Sequence, residues 1–344
     1  MDQRERLQNC YFVKNVLMIL VVAYHSIALW MPQGWFVSPV VASNILGIVA
    51  LWLNSFHIYG FVLVSGYIYY YMRYEKTSKE YMNYGDFIKN KAKRLLVPYG
   101  FVCLFWVMPI YSYFYKPDTN VLIKKYILME SPSQLWFLIM LFGCSIVFYL
   151  LSDYVRAHPI AGGIIMVLIY GAGIIGDQVM DNYFQIWNIC KYLLFFYIGF
   201  EFRQYGFKCF EKIPSGIYIL VDIVLFGVWR LCGQSNVVHI RILSVGFLFF
   251  LQVVGSIGVF IILQKIAAAK KENRMGTFLS KHNMTIYLFH QQLIYFVVVW
   301  GNGKVNNYIL AGMNFVISFA GALFISILLN KNIYTRFLIS GKIF

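Results

Sequence analysis

The stretch Tyr11–Met31, YFVKNVLMILVVAYHSIALWM, constrains this chain most, because one lysine and one histidine interrupt an otherwise apolar run of helix length. The run is long enough to cross a hydrocarbon core of about 30 Å. Lys14 and His25 are eleven residues apart. At about 100° per residue they return to within roughly 20° of one face, about 16 Å apart along the axis. An ionisable ring that deep carries a desolvation cost, so His25 is expected to face protein or trapped water and not lipid. On this ground alone it is equally a neutral structural histidine bonded to a neighbouring helix.

The rest of the chain is of the same kind. With 60% hydrophobic residues, 12% charged residues and a mean hydropathy of +0.66, it lies outside the balance of a soluble domain. The expected fold is all-α, a polytopic integral membrane helical bundle forming a single domain over residues 1–344. The N-terminal MDQRER is too polar, and the span after it lacks a small-residue cleavage site. The first span is therefore expected to be a retained anchor and not a signal peptide, with the mature chain starting near residue 1. The six cysteines have no CxxC or metal-ligand spacing and read as packing residues, so no metal site is expected. Walker, HExxH and GxSxG motifs are absent, which removes the common P-loop, zinc and serine-hydrolase readings.

Ten apolar helical segments are expected near 13–30, 45–71, 95–115, 134–152, 160–177, 187–202, 216–232, 242–264, 284–301 and 308–330. Sorted onto alternate sides, 22 of the 29 Lys and Arg fall on the side of the N-terminus and seven on the other. The positive-inside rule then puts both termini in the cytoplasm, and the net charge of +15 needs no nucleic acid to explain it. The longest inner loop ends in Lys89, Lys91, Lys93 and Arg94. Such a cluster marks topology and contacts anionic lipid. Lys91 and Arg94 are also three apart on a helix, so they can grip the phosphates of a cytoplasmic nucleotide-like donor, with Lys14 joining from the inner end of span 1.

Span 2, NSFHIYGFVLVSGYIYYY, places His57 toward its outer end and Ser65 and Gly66 deeper. If spans 1 and 2 form an antiparallel hairpin, His57 lies at the depth of His25, and Gly60 and Gly66 allow the two helices to approach closely. Two imidazoles there suit proton transfer from an alcohol. The run YIYYY at 67–71 reads as an interfacial girdle, and Trp30, Trp35, Trp136 and Trp300 as belt anchors.

These pieces together resemble the bacterial acyltransferase 3 family of integral membrane O-acyltransferases, closest to its sugar O-acetylase branch. Lys14 and His25 fit the family's basic residue, ten intervening residues and histidine on span 1. FHIYGFVLVSGY is similar to the span 2 pattern FHMPLFFFISGY at Phe56, His57, Ser65, Gly66 and Tyr67, without its proline. KNKAKRLLVPY resembles RxxR followed by LLxPY, with Lys91 for the first arginine and Arg94, Pro98 and Tyr99 retained. SQLWFL around Trp136 and MTIYLFHQQLI around His290 resemble LWFL and YLxHxP, with Gln292 at the proline position. The two lysines keep the charge but lose the bidentate fork of arginine.

The resemblance implies a cytoplasmic acetyl-CoA or other acyl-CoA as co-substrate, with no tightly bound cofactor. It also implies a hydroxyl acceptor on a surface carbohydrate or lipid-linked glycan, and a multi-pass position in the bacterial inner membrane. In that frame His25 is the general base or a transient acyl carrier, His57 is its partner, and Lys14, Lys91 and Arg94 bind the donor. Secondary candidates are Ser65, Glu130, Trp136, Tyr287 and His290. His290 and Tyr287 are expected in the inner half of span 9, where a structural histidine is as good a reading, and Glu130 reads first as a solvated loop carboxylate and second as a group that orients an acceptor sugar. The competing class is a multi-pass transporter or exporter of a glycan or small acid. Against it stand the lack of an internal repeat and the scarcity of intramembrane acids, of which Asp222 is the clearest. The charge split predicts that a cysteine at Ser78, with the native cysteines removed, stays unreactive toward an impermeant thiol reagent in intact cells; labelling there would overturn the topology.

Overall fold

The structure is a computed structural model that describes residues 3–269 and 274–341, with side chains from Asn9 onward. Of the basic residues counted above, the side chains of Arg4 and Arg6 and the whole of Lys270, Lys271 and Lys342 lie outside the described residues.

The chain is an all-α multi-pass membrane bundle. Its main helices are α1 (Gln3–Ile27), α2 (Asn44–Asn54), α3 (His57–Tyr70), α4 (Tyr84–Val102), α5 (Trp136–Ala157), α6 (Pro159–Val179), α7 (Ile186–Gln204), α8 (Ser215–Gly233), α9 (Val238–Ala269), α10 (Arg274–Gly301), α11 (Asn307–Leu329) and the short α12 (Ile333–Ser340). Among the described residues nine segments are long and apolar enough to cross a membrane. In one of them α2 and α3 run on as a single broken span, and in another α4 continues through a π turn to Tyr115. The tenth expected segment is α7, which carries Lys191, Glu201 and Arg203 and packs against α3, α5 and α6.

α1 is the central helix. Its main neighbours are α2, α3, α9, α10 and α11, and Val13, Leu17, Met18, Val21 and Val22 on it are completely buried. α4 packs instead on α5 and on α12, where the C-terminal segment lies across the Lys93 carbonyl at Gly341. The left-handed φ of +64° at Gly341 ends α12 there, and a Cβ on that residue would collide with the carbonyl.

Span 2 is not one helix. Between α2 and α3 the Ser55 hydroxyl donates back to Trp52 O (2.7 Å), a bond that bends helices, and His57 becomes the first residue of the second half.

Two expectations about span 2 are corrected. Gly66 does not serve the hairpin with α1: an added Cβ would lie 1.9 Å from Phe196 O, and one at Gly199 1.8 Å from Leu63 O, so these two glycines seat α3 on α7. Gly60 does face Leu17 of α1. Ser65, next to Gly66, turns its hydroxyl back to Phe61 O (2.9 Å) within its own helix. YIYYY is not a girdle, since Tyr67 and Tyr69 are 1% exposed. Their hydroxyls accept from Arg203 Nη1 (2.9 Å) and Arg73 Nη1 (2.7 Å). Those guanidinium groups in turn pair with Glu75 and Asp153. Inward tyrosines thus bring two arginines into the protein with their charge answered, which is why the aromatic run does not sit at an interface.

Gly199→Ala should destabilise the protein by on the order of 2 kcal/mol or more, because backbone cannot yield to the new methyl. Gly171→Ala, where nothing lies within 4 Å of the added carbon, should be neutral or slightly stabilising. Thermal unfolding in detergent compares the two.

Candidate active site

Polar bonds tie α1 to α10 and α11. Near one end, Asn15 Nδ2 donates to Gly276 O and Ser280 Oγ (2.9 Å each). Asn283 Nδ2 donates to Lys14 O and Asn15 Oδ1 (3.0 Å each). Ten residues further along α1, His25 Nδ1 lies 3.1 Å from His290 Nε2. Beyond it Asn314 Nδ2 donates to Ser26 O (2.9 Å). The first cluster fixes the register of α1 against α10, and the register puts the two imidazoles in contact.

His290 therefore stands where His57 was expected. The expectation placed it in the inner half of its span because the apolar run starts near 284. The helix starts at Arg274, and its first turns spend Ser280 and Asn283 on α1, so His290 lies past the middle of α10 at the level of His25.

The tautomers follow from the carbonyls. His290 Nδ1 faces Tyr287 O (2.8 Å) and Ile286 O (3.2 Å), and His25 Nδ1 faces Val21 O (3.0 Å). A carbonyl only accepts, so both Nδ1 atoms carry the proton. Nε2 of His290 is then an acceptor, and the Nδ1–H of His25 is shared between it and Val21 O. The lone pair of His25 is left on Nε2, which no hydrogen bond reaches among the described residues. His57 is held the same way, Nδ1 to Leu53 O at 2.5 Å, but its ring contact is with Tyr24, at 5.0 Å.

Aromatic rings enclose the pair. Tyr24 meets His25 edge-on at 4.7 Å, and Trp35 lies 6.0 Å from it and 5.3 Å from Tyr295. Trp35 is thus a wall of the site and not a belt anchor. Trp30 is buried and donates to Val41 O (3.1 Å), and Trp136 packs half-buried on Tyr192 at 5.6 Å; of the four tryptophans expected at the boundary, Trp300 is the exposed one.

Below the histidines, the turn before α5 is tied to α10. Gln134 and Gln292 exchange amide hydrogen bonds (2.7 and 2.9 Å), Gln134 Nε2 also donates to Leu288 O (2.8 Å), and the Tyr287 hydroxyl donates to Gln134 O. All three side chains are buried.

A sequence model of the acyltransferase 3 family, described as an acyltransferase domain, matches residues 12–331. The chain belongs to the acyltransferase 3 family. It is a membrane acyltransferase. Comparison with curated proteins and with solved structures gives no match.

As an acyltransferase 3 chain it keeps the motif elements in contact where it departs from their pattern. Gln292, at the proline position after His290, makes the amide pair with Gln134 of SQLWFL. Tyr59, where span 2 lacks proline, stacks on Tyr192 at 4.7 Å. Lys91 lies over the rings of Phe87 (5.3 Å) and Tyr81 (5.5 Å), while Arg94, one turn on, is exposed. Lys14 sits on α1 and not on this helix; α1 packs on α10, whereas α4 packs on α5 and α12. Glu130 lies in the loop before α5. Its carbonyl accepts from Gln185 Nε2 (2.7 Å), and its carboxylate acts on Lys125, whose pKa burial lowers and Glu130 partly restores.

Sequence reasoning missed Gln134, Asn15 and Asn283, and it read Gln292 only as a departure from the motif and Trp35 as a belt anchor. The signal was there in part: amides at 15, 283, 292 and 134 are costly inside apolar runs unless paired with one another. Gln134→Leu should cost about 1–3 kcal/mol, since it leaves the Gln292 amide unpaired and removes the added hydrogen bond to Leu288 O. Gln134→Leu combined with Gln292→Leu should recover part of that loss. Denaturation midpoints of the two single variants and the double variant, measured in one detergent, check this.

Proposed function

We propose that this acyltransferase moves an acetyl or other short acyl group from a cytoplasmic acyl-CoA to a hydroxyl of a cell-surface or lipid-linked carbohydrate, in the bacterial inner membrane. The observation that carries the reading is the single lone pair at His25 Nε2, held in place by Val21 O and His290. In the reaction, His25 Nε2 takes the proton of the acceptor hydroxyl as its oxygen attacks the thioester carbonyl carbon. The C–S bond breaks, and the proton passes to the departing thiolate, giving ester and free CoA. The positive charge that develops on His25 is shared through its Nδ1–H with the Nε2 lone pair of His290, the arrangement of a base oriented by a second group. His57 and Tyr24 border this site and contribute to its walls.

On this reading the donor's phosphates meet Arg94, with Lys91 and Lys14 adding positive potential at the same end of the bundle. The 22-to-7 distribution of basic residues supports placing that end in the cytoplasm. The roughly 16 Å from Lys14 to His25 is comparable to the reach of a pantetheine arm.

His25→Gln keeps hydrogen-bonding capacity but cannot take up a proton at neutral pH. It should lower acyl transfer by at least about 10²-fold with acyl-CoA binding retained. Measured on membranes at matched protein level, near-normal turnover by this variant would remove His25 as the base.

A further inference from the structure

A second intramembrane site lies on the opposite flank of α1, between α8, α9 and the break in span 2. A cleft of about 230 Å³ runs there, walled by Leu20, Phe56, Val254, Val259, Ile262 and Leu263. Three polar side chains border it: Trp52, Tyr218 and Asp222. Two are already committed. Trp52 Nε1 donates to Asp222 Oδ2 (2.7 Å), and the Tyr218 hydroxyl donates to Phe210 O (3.0 Å). The third is half committed: Asp222 is 6% exposed, and its Oδ1 has no hydrogen-bond partner among the described residues. Gly255 faces that oxygen, and a Cβ there would come within 2.7 Å of it, so glycine keeps the space beside Oδ1 open.

The lining selects the occupant. An ordered water needs two to four polar partners, and this cleft offers one. A phosphate or carboxylate head would need a cation, and no Lys or Arg lines the cleft. The walls are aliphatic and aromatic, and α8 turns Leu220, Ile223 and Val224 outward, each more than half exposed, so the cleft borders the lipid phase. A hydroxyl fits Oδ1 in either protonation state of the carboxyl, because it can both donate and accept. We infer that this cleft binds a lipid with a long aliphatic chain and a single hydroxyl, the hydroxyl bonded to Asp222 Oδ1 and the chain lying between α8 and α9. This site is separate from the acyl-transfer site proposed above and does not depend on that reading.

The experiment uses the full chain in lipid nanodiscs and a photoreactive long-chain alcohol with a diazirine near the hydroxyl. Labelled peptides are mapped by mass spectrometry. Labelling is expected within residues 215–233 and 251–263, with competition by 1-dodecanol and little by dodecane. Asp222→Leu should reduce that labelling by a few-fold to tenfold, the range of one lost hydrogen bond. Asp222→Asn, which keeps hydrogen-bonding capacity, should retain most of it. Ile219→Phe, which fills the cleft from its lipid side and brings no hydrogen-bonding group to the carboxyl, should abolish it. Labelling confined to other helices, dodecane competing as well as dodecanol, or unchanged labelling of Asp222→Leu would each overturn the assignment.

Discussion

Inside a hydrocarbon slab there is no water to satisfy a polar side chain, so such a group on a buried helix is answered by its own backbone or by a neighbouring helix. α1 packs on five other helices, and it presents Asn15, His25 and the Ser26 carbonyl to them. Their partners are Ser280, Asn283 and His290 on α10 and Asn314 on α11. Apolar packing alone would let two parallel helices slide by a turn at little cost, because lipid-like surfaces are much alike. The Asn15–Ser280–Asn283 cluster removes that freedom, and the contact between His25 and His290 follows from it. The placement of His25 against His290 thus rests on amides about 15 Å away along the helix axis.

The same economy explains the tyrosine run of α3. Tyr67 and Tyr69 look interfacial by composition, but α3 is enclosed by α1, α7 and α9, so alternate rings point into protein. There they accept from Arg203 and Arg73, which also pair with Glu75 and Asp153. Gly66 and Gly199, pressed against the backbone of the opposite helix, set the spacing at which these bonds form.

Much of this was readable from the sequence. Hydropathy gave the helices, and the spacing of Lys14 and His25 singled out α1 before its central position was known. The motif pieces around Trp136 and His290 were recognised singly, but their meeting through Gln134 and Gln292 was not, because a pairing between amides 158 residues apart leaves no local pattern. His290 was misplaced in depth for a related reason. Hydropathy counts Ser280 and Asn283 as polar and starts the span after them, while the fold buries their polarity against α1. Trp35 follows α1 in an irregular loop, and periodicity has no hold on where a loop returns. Where polar groups satisfy one another across helices, a scale that prices each residue alone places the boundary wrongly.

In the proposed mechanism His290 acts on the reaction only through His25, as the acceptor of its Nδ1–H. The direct test is a double-mutant cycle on acyl transfer, comparing His25→Ala, His290→Ala and the double variant in matched membranes. The loss in the double variant should equal that of His25→Ala alone, because His290 has nothing to orient once the base is gone. Losses that multiply across the two sites would show that the histidines work independently and that the contact between them is not part of the mechanism.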